Sequence, residues 1–240
     1  MTNQLKISDV FGIKKDLPGA DGGLLKDINL TLFTRLPQDA ESFEYKSHRY
    51  LWKKSDKTMR GLREYSYMLG NELIKEIAKI KPDEVILDSG CGHGFFIHDI
   101  LQQFPHLRII GINDCDDDIE VEPSVSSLIF NIDITQLSPL TPNPVKMIIS
   151  CEGSASYDPF DIMVAMHTPS FDWGNMGTIG IIRIINLLAL EGVFFSTQIP
   201  KQTIRTLLDK DILERISSSG YRKKAHLTDE TLIELVQNYL

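Results

Sequence analysis

The sequence predicts an α/β protein: a mostly parallel sheet with helices on both faces. Short apolar runs at 85–87, 108–112, 127–132, 145–150 and 192–197 alternate with segments of helical character. Strands that alternate with helices are joined most simply by crossovers into a parallel sheet. The first run ends in Asp88, and glycine follows at 90, 92 and 94 before apolar residues resume at Phe95. This reads as a buried strand, a tight turn without side chains and the start of a helix. A chain of 240 residues, 42% hydrophobic, can bury the core of one such domain with an extension.

Residues 1 to about 44 mix patterns and carry the turn signals Pro18-Gly19 and Gly22-Gly23. The expected division is an N-terminal extension or lid over 1–54 and a main domain over 55–240. From Ser55 the pattern is helical, with Leu62, Tyr65, Leu69, Leu73 and Ile77 forming one apolar stripe that ends before Pro82. The glycine turn opens a helix over 95–104. The stretch 114–126 is acidic and contains Pro123, so any helix there is short. Helices are expected over 180–190 and 202–218, a further strand over 221–226, and a terminal helix over 228–239 capped by Thr228. A closing hairpin is not evident.

The net charge of −8 argues against nucleic acid as the partner of the whole protein. No apolar run approaches the roughly 20 residues that span a bilayer, and Met1 to Lys6 do not begin a signal peptide. Cys91, Cys115 and Cys151 form no metal-type pair, and their odd count fits free thiols in a reducing cytoplasm. Each falls near a predicted strand end. The acidic run 114–118 lacks the glycine and terminal glutamate of a calcium loop, so no metal site is expected.

The run Asp88-x-Gly90-Cys91-Gly92-x-Gly94 resembles the first motif of the class I S-adenosylmethionine-dependent methyltransferases. A dinucleotide fingerprint would place its last small residue where Phe95 stands. The resemblance covers about 83–197 and implies a Rossmann-like fold with a seven-stranded sheet and S-adenosylmethionine as cofactor. It implies that Gly90, Cys91, Gly92 and Gly94 receive the amino acid tail. Asp88 would meet the tail's ammonium, directly or through water. An acid at the end of the second strand would hold the ribose hydroxyls; here Asn113 takes that place and Asp114 follows. Asp133 and Ile134 match the residues that bind and cover the adenine. Cys151, Glu152 and Gly153 leave the fourth strand beside the sulfonium or the substrate. Before the fifth strand, Gly192 stands where many relatives carry two glycines.

Methyl transfer is a displacement that needs alignment more than a base. Where a base is needed, His167 and Glu152 are the candidates. The segment 154–178 holds Tyr157, Asp158, Phe171 and Trp173 and is the expected substrate region. The stretch 44–64 is locally basic with aromatic residues interleaved. The expected partner is a small-molecule methyl acceptor bound through O or N, with no membrane. Two rivals stand beside it: a protein or RNA acceptor, and a module that binds cofactor or protein without turnover. Oligomeric state is not legible.

Overall fold

The structure is a computed structural model, and it describes residues 5–13, 61–113, 121–132, 137–150, 184–197 and 201–228, with 231 and 235. Its centre is a seven-stranded sheet. The strands are β2 (Val85–Ser89), β3 (Arg108–Asn113), β4 (Ile129–Asn131), β6 (Val145–Ser150), β7 (Val193–Ser196), β8 (Leu213–Arg215) and β9 (Gly220–Lys223). They lie in the order β4-β3-β2-β6-β7-β9-β8. Pairings from β4 through β7 are parallel, and β9 runs antiparallel to both β7 and β8. The order turns back at β2: β3 lies on one side of it and β6 on the other. In open α/β sheets that reversal leaves a crevice at the carboxyl ends of the strands.

Side chains alternate across the strands and divide the core in two. One face gathers Val85, Leu87, Ile110, Ile112, Ile148 and Phe194 with Ile184, Ile185, Leu188, Ile204 and Leu207. The other gathers Ile86, Ile109, Met147, Ile149 and Phe195 with the helices α1 (Leu62–Leu69), α2 (Glu72–Ile77) and α3 (Phe95–Gln103). In β6 the alternation skips at Lys146. Val85 pairs with Val145 but Ile86 pairs with Met147, so β6 holds one extra residue. That bulge puts Val145 and Ile148 on the same face.

The apolar stripe 62–77 is expected as one helix and is found as two. Gly70, at φ 87, ends α1, and α2 begins two residues later. Tyr65, Leu69, Leu73 and Ile77 still share one core, because the turn preserves their common face. The helix expected over 202–218 stops as α4 (Lys201–Asp209), and Leu213–Arg215 forms the edge strand β8. Together with β9 it supplies the closing hairpin that the sequence pattern hides. Ser219 fastens this hairpin by donating its hydroxyl to the Leu69 carbonyl at 2.5 Å. Lys223 is buried, and its ammonium donates to the carbonyls of Ile185 and Leu188 at 2.6 and 2.7 Å. It thereby serves the carboxyl end of the helical turn 184–187. Burial pushes its pKa down to about 8.

A second sheet joins β1 (Phe11–Ile13) to β5 (Leu137–Pro139), antiparallel. Leu5, Val10 and Phe11 enter the same core face as β2 and β6. Thr228 accepts a hydrogen bond from the Thr231 amide, as a helix cap does. Among the described residues no helix is long and apolar enough to cross a membrane.

Candidate functional site

The glycine turn leaves β2 with three left-handed residues: Gly90 at φ 80, Gly92 at φ 54 and Gly94 at φ 83. Side chains rarely adopt this conformation, which is why glycine stands at each. The amides of Gly90 and Cys91 both donate to the Ile112 carbonyl, at 2.9 and 3.2 Å. The Gly92 amide donates to Asn113 Oδ1 at 2.8 Å, and the Gly94 amide to the Cys91 carbonyl at 3.0 Å. The donors of the turn at these four residues are therefore occupied from within. The Gly90 carbonyl makes no hydrogen bond among the described residues.

The glycines differ in what surrounds them. A Cβ at Gly92 would meet nothing within 4 Å among the described residues. A Cβ at Gly94 would collide with Ile129 Cδ1 and come within 3.1 Å of Val125 Cγ2. Gly92 thus borders open space, whereas Gly94 lets the 3-10 turn Pro123–Leu128 and β4 close on the start of α3. Two further contacts fix that closure: Glu122 N–H donates to the His93 carbonyl at 2.8 Å, and His98 Nδ1 lies 2.8 Å from Ser124 Oγ. This 3-10 turn extends to Leu128, so the strand expected from Ser127 begins only at Ile129.

Asp88 is fully buried within β2. The Tyr65 hydroxyl donates toward both of its carboxylate oxygens, at 3.2 and 3.3 Å. Burial pushes the Asp88 pKa up to about 8, against the lowering effect of the Tyr65 hydrogen bond. The carboxyl is therefore protonated at neutral pH and shows no surface to solvent. The next residue, Ser89, is also fully buried, and its hydroxyl has no hydrogen-bond partner among the described residues.

Of the residues singled out from sequence, Asp88, Gly90, Cys91, Gly92, Gly94 and Asn113 come together at the ends of β2 and β3. The Cys91 side chain turns into the core, where it fills the space that Gly111 leaves beside Ile97. Any contact of Cys91 with a ligand there falls to its backbone. Asn113 is fully buried and engages Gly92 twice. Asp114, Asp133, Ile134, Cys151, Glu152 and His167 lie outside the described residues, as do Cys115, most of the basic stretch 44–64 and the substrate region 154–178. Two participants escape the sequence reading: Tyr65, which reads only as part of an apolar stripe, and Ser89, which carries no signal; Asn113 is expected at the site, and its clasp on Gly92 is not.

With the amides of Gly90, Cys91, Gly92 and Gly94 occupied, the turn lacks the run of successive free donors that cradles a phosphate. What it keeps, among the described residues, is bare peptide at Gly92 and an unbonded acceptor at Gly90, with the buried, unpartnered Ser89 hydroxyl behind them. Carbonyl oxygens suit an ammonium or another cationic group. This chemistry fits an amino acid tail better than a pyrophosphate.

The pairings fix the strand order and the antiparallel direction of β9, the next-to-last strand of the sheet. The fold is Rossmann-like: a mostly parallel seven-stranded sheet in which β9 runs antiparallel to both of its neighbours. No family model and no curated protein sequence matches the chain. Solved structures with remote likeness include coclaurine N-methyltransferase bound to N-methylheliamine and S-adenosylhomocysteine. It is 17% identical over 58% of this chain and 38% of its own, with a TM-score of 0.36. StiE O-MT residues 961–1257 are 12% identical over 80% of this chain and 86% of theirs, at a TM-score of 0.41. A possible exported protein from Bordetella parapertussis is 13% identical over 88% and 90%, also at 0.41. The chain spans well under two thirds of the coclaurine enzyme's length. Likenesses this remote carry no activity, substrate or partner across to this chain.

Proposed function

We propose that this protein transfers a methyl group from S-adenosylmethionine to a small organic acceptor. The observation that supports the reading most is the turn at 90–94: the amides of Gly90, Cys91, Gly92 and Gly94 are occupied, and its peptide at Gly92 is open. It sits where the sheet order reverses, at the carboxyl end of β2.

In this reading the backbone of Gly90 and Gly92 receives the amino acid tail. Asp114 holds the ribose, Asp133 and Ile134 hold and cover the adenine, and Cys151 borders the sulfonium. When bound, the cofactor supplies a methyl carbon already activated by that sulfonium. The protein's share is alignment and exclusion of water. Where the acceptor must lose a proton early, His167 or Glu152 removes it.

Calorimetric titration with S-adenosylhomocysteine tests the reading. Saturable binding is expected. Gly92→Asn is expected to weaken it about tenfold or more, because asparagine tolerates the left-handed conformation yet puts a side chain on the open peptide. Absence of binding at millimolar ligand overturns the proposal. Methyl transfer from labelled S-adenosylmethionine into a metabolite pool, sorted by size, then tests the small acceptor.

A further inference from the structure

Asn113 ends β3 with a side chain that is fully buried and doubly engaged. Its Oδ1 accepts from the Gly92 amide at 2.8 Å, and its Nδ2 donates to the Gly92 carbonyl at 3.0 Å. The pair copies the hydrogen bonding of one peptide on another. It needs a donor and an acceptor on one short planar group. Asparagine supplies both, whereas ionised aspartate offers acceptors only.

The peptide so held is the one whose outer side is open. A Cβ built on Gly92, at φ 54, would meet nothing within 4 Å among the described residues. Its N–H and C=O both engage Asn113 at ordinary hydrogen-bond distance, while the Cys91 thiol approaches the same carbonyl at a longer 3.9 Å, so Asn113 is its main restraint. An Asn113 amide turned toward a ribose would have to release Gly92.

We infer that Asn113 is a positioning residue: its amide locks the Gly92 peptide in the ligand-accepting form, and it is not the ribose contact. This inference rests on the cofactor reading of the site. The two alternatives differ in sign. At a ribose contact, Asn113→Asp improves the acceptor and tightens binding. At the clasp, the same change removes the donor to the Gly92 carbonyl and sets a carboxylate against it.

The test combines amide hydrogen exchange at Gly92, without ligand, with titration by S-adenosylhomocysteine. In the natural protein the Gly92 amide is expected to be protected. Asn113→Ala is expected to speed its exchange about tenfold or more, and Asn113→Asp to weaken ligand binding by a similar factor. Asn113→Ser, whose hydroxyl serves one bond of the two, replaces the alanine variant should that fail to fold. An unprotected Gly92 amide in the natural protein overturns the inference. So does an Asn113→Asp variant that binds as tightly as the natural protein or more so. If the natural protein binds no S-adenosylhomocysteine, the cofactor reading fails, and exchange at Gly92 still decides whether Asn113 locks the turn.

Discussion

The Tyr65 hydroxyl stands 3.2 Å from one carboxylate oxygen of Asp88 and 3.3 Å from the other, while its ring stacks on Phe96 with centroids 4.1 Å apart. One phenol therefore joins α1 to the tip of β2 and to the helix that follows the glycine turn. Asp99, on that helix, accepts from the Leu62 amide at 2.9 Å and holds the start of α1 in place. Tyr65→Phe keeps the stacking and deletes the hydrogen bond. It is expected to cost about 1–3 kcal/mol, the penalty of a buried polar group left unmatched. Urea unfolding at pH 7 measures it, and unchanged stability would show that the carboxyl does not depend on the phenol.

Asp88 also makes stability depend on pH. Its carboxyl titrates near 8 when folded, against 3.8 ordinarily. Between those values the folded protein holds a proton that the unfolded chain has released. Stability therefore falls as pH rises from about 4 to about 8, by up to roughly 1.4 kcal/mol per unit. Asp88→Asn keeps an acceptor for Tyr65 and removes the titration. The variant is expected to match the natural protein near pH 4 and to exceed it in stability at pH 8. Melting curves across that range check the sign, and parallel curves for the two proteins would refute the assignment.

Ligand binding is expected to move the same proton. A cationic tail settling near the tip of β2 favours the ionised carboxyl and lowers its pKa. At pH 7, S-adenosylhomocysteine should then release more protons from the natural protein than from Asp88→Asn. Calorimetry in buffers of different ionisation heat reads the difference. Equal release from both would mean that Asp88 does not sense the ligand's charge.

The glycines of the turn should separate on substitution. Gly92→Ala meets only the conformational penalty of a left-handed residue, about 1–2 kcal/mol. Gly94→Ala meets that penalty and a collision with Ile129, which adds about 1–3 kcal/mol of overpacking. Unfolding midpoints should fall further for Gly94→Ala, while ligand affinity should fall for Gly92→Ala even after correction for stability. The reverse order would mean that the two residues have been assigned each other's tasks.

The central strands were legible because each is a run of apolar residues buried on both faces. Arg108–Asn113, buried at every position from Ile109 on, is the clearest case. The turn was legible because only glycine tolerates its backbone. The closing hairpin was not, since Leu213–Arg215 is a three-residue edge strand with two exposed positions, following a helix whose periodicity runs into it. The break at Gly70 was hidden for the opposite reason: the stripe continues through it. The clasp between Asn113 and Gly92 and the bond between Tyr65 and Asp88 depend on which strands and helices become neighbours. Spacing along the chain does not encode either.

The pairing of Phe11–Ile13 with Leu137–Pro139 bears on any shortened form of this protein. Leu5, Val10 and Phe11 are buried among residues of the main sheet. A chain begun at residue 55 would carry an apolar scar where they had been, and Leu137–Pro139 would become a bare edge that invites self-association. Trimming the front of the molecule should therefore yield a sticky protein instead of a minimal one.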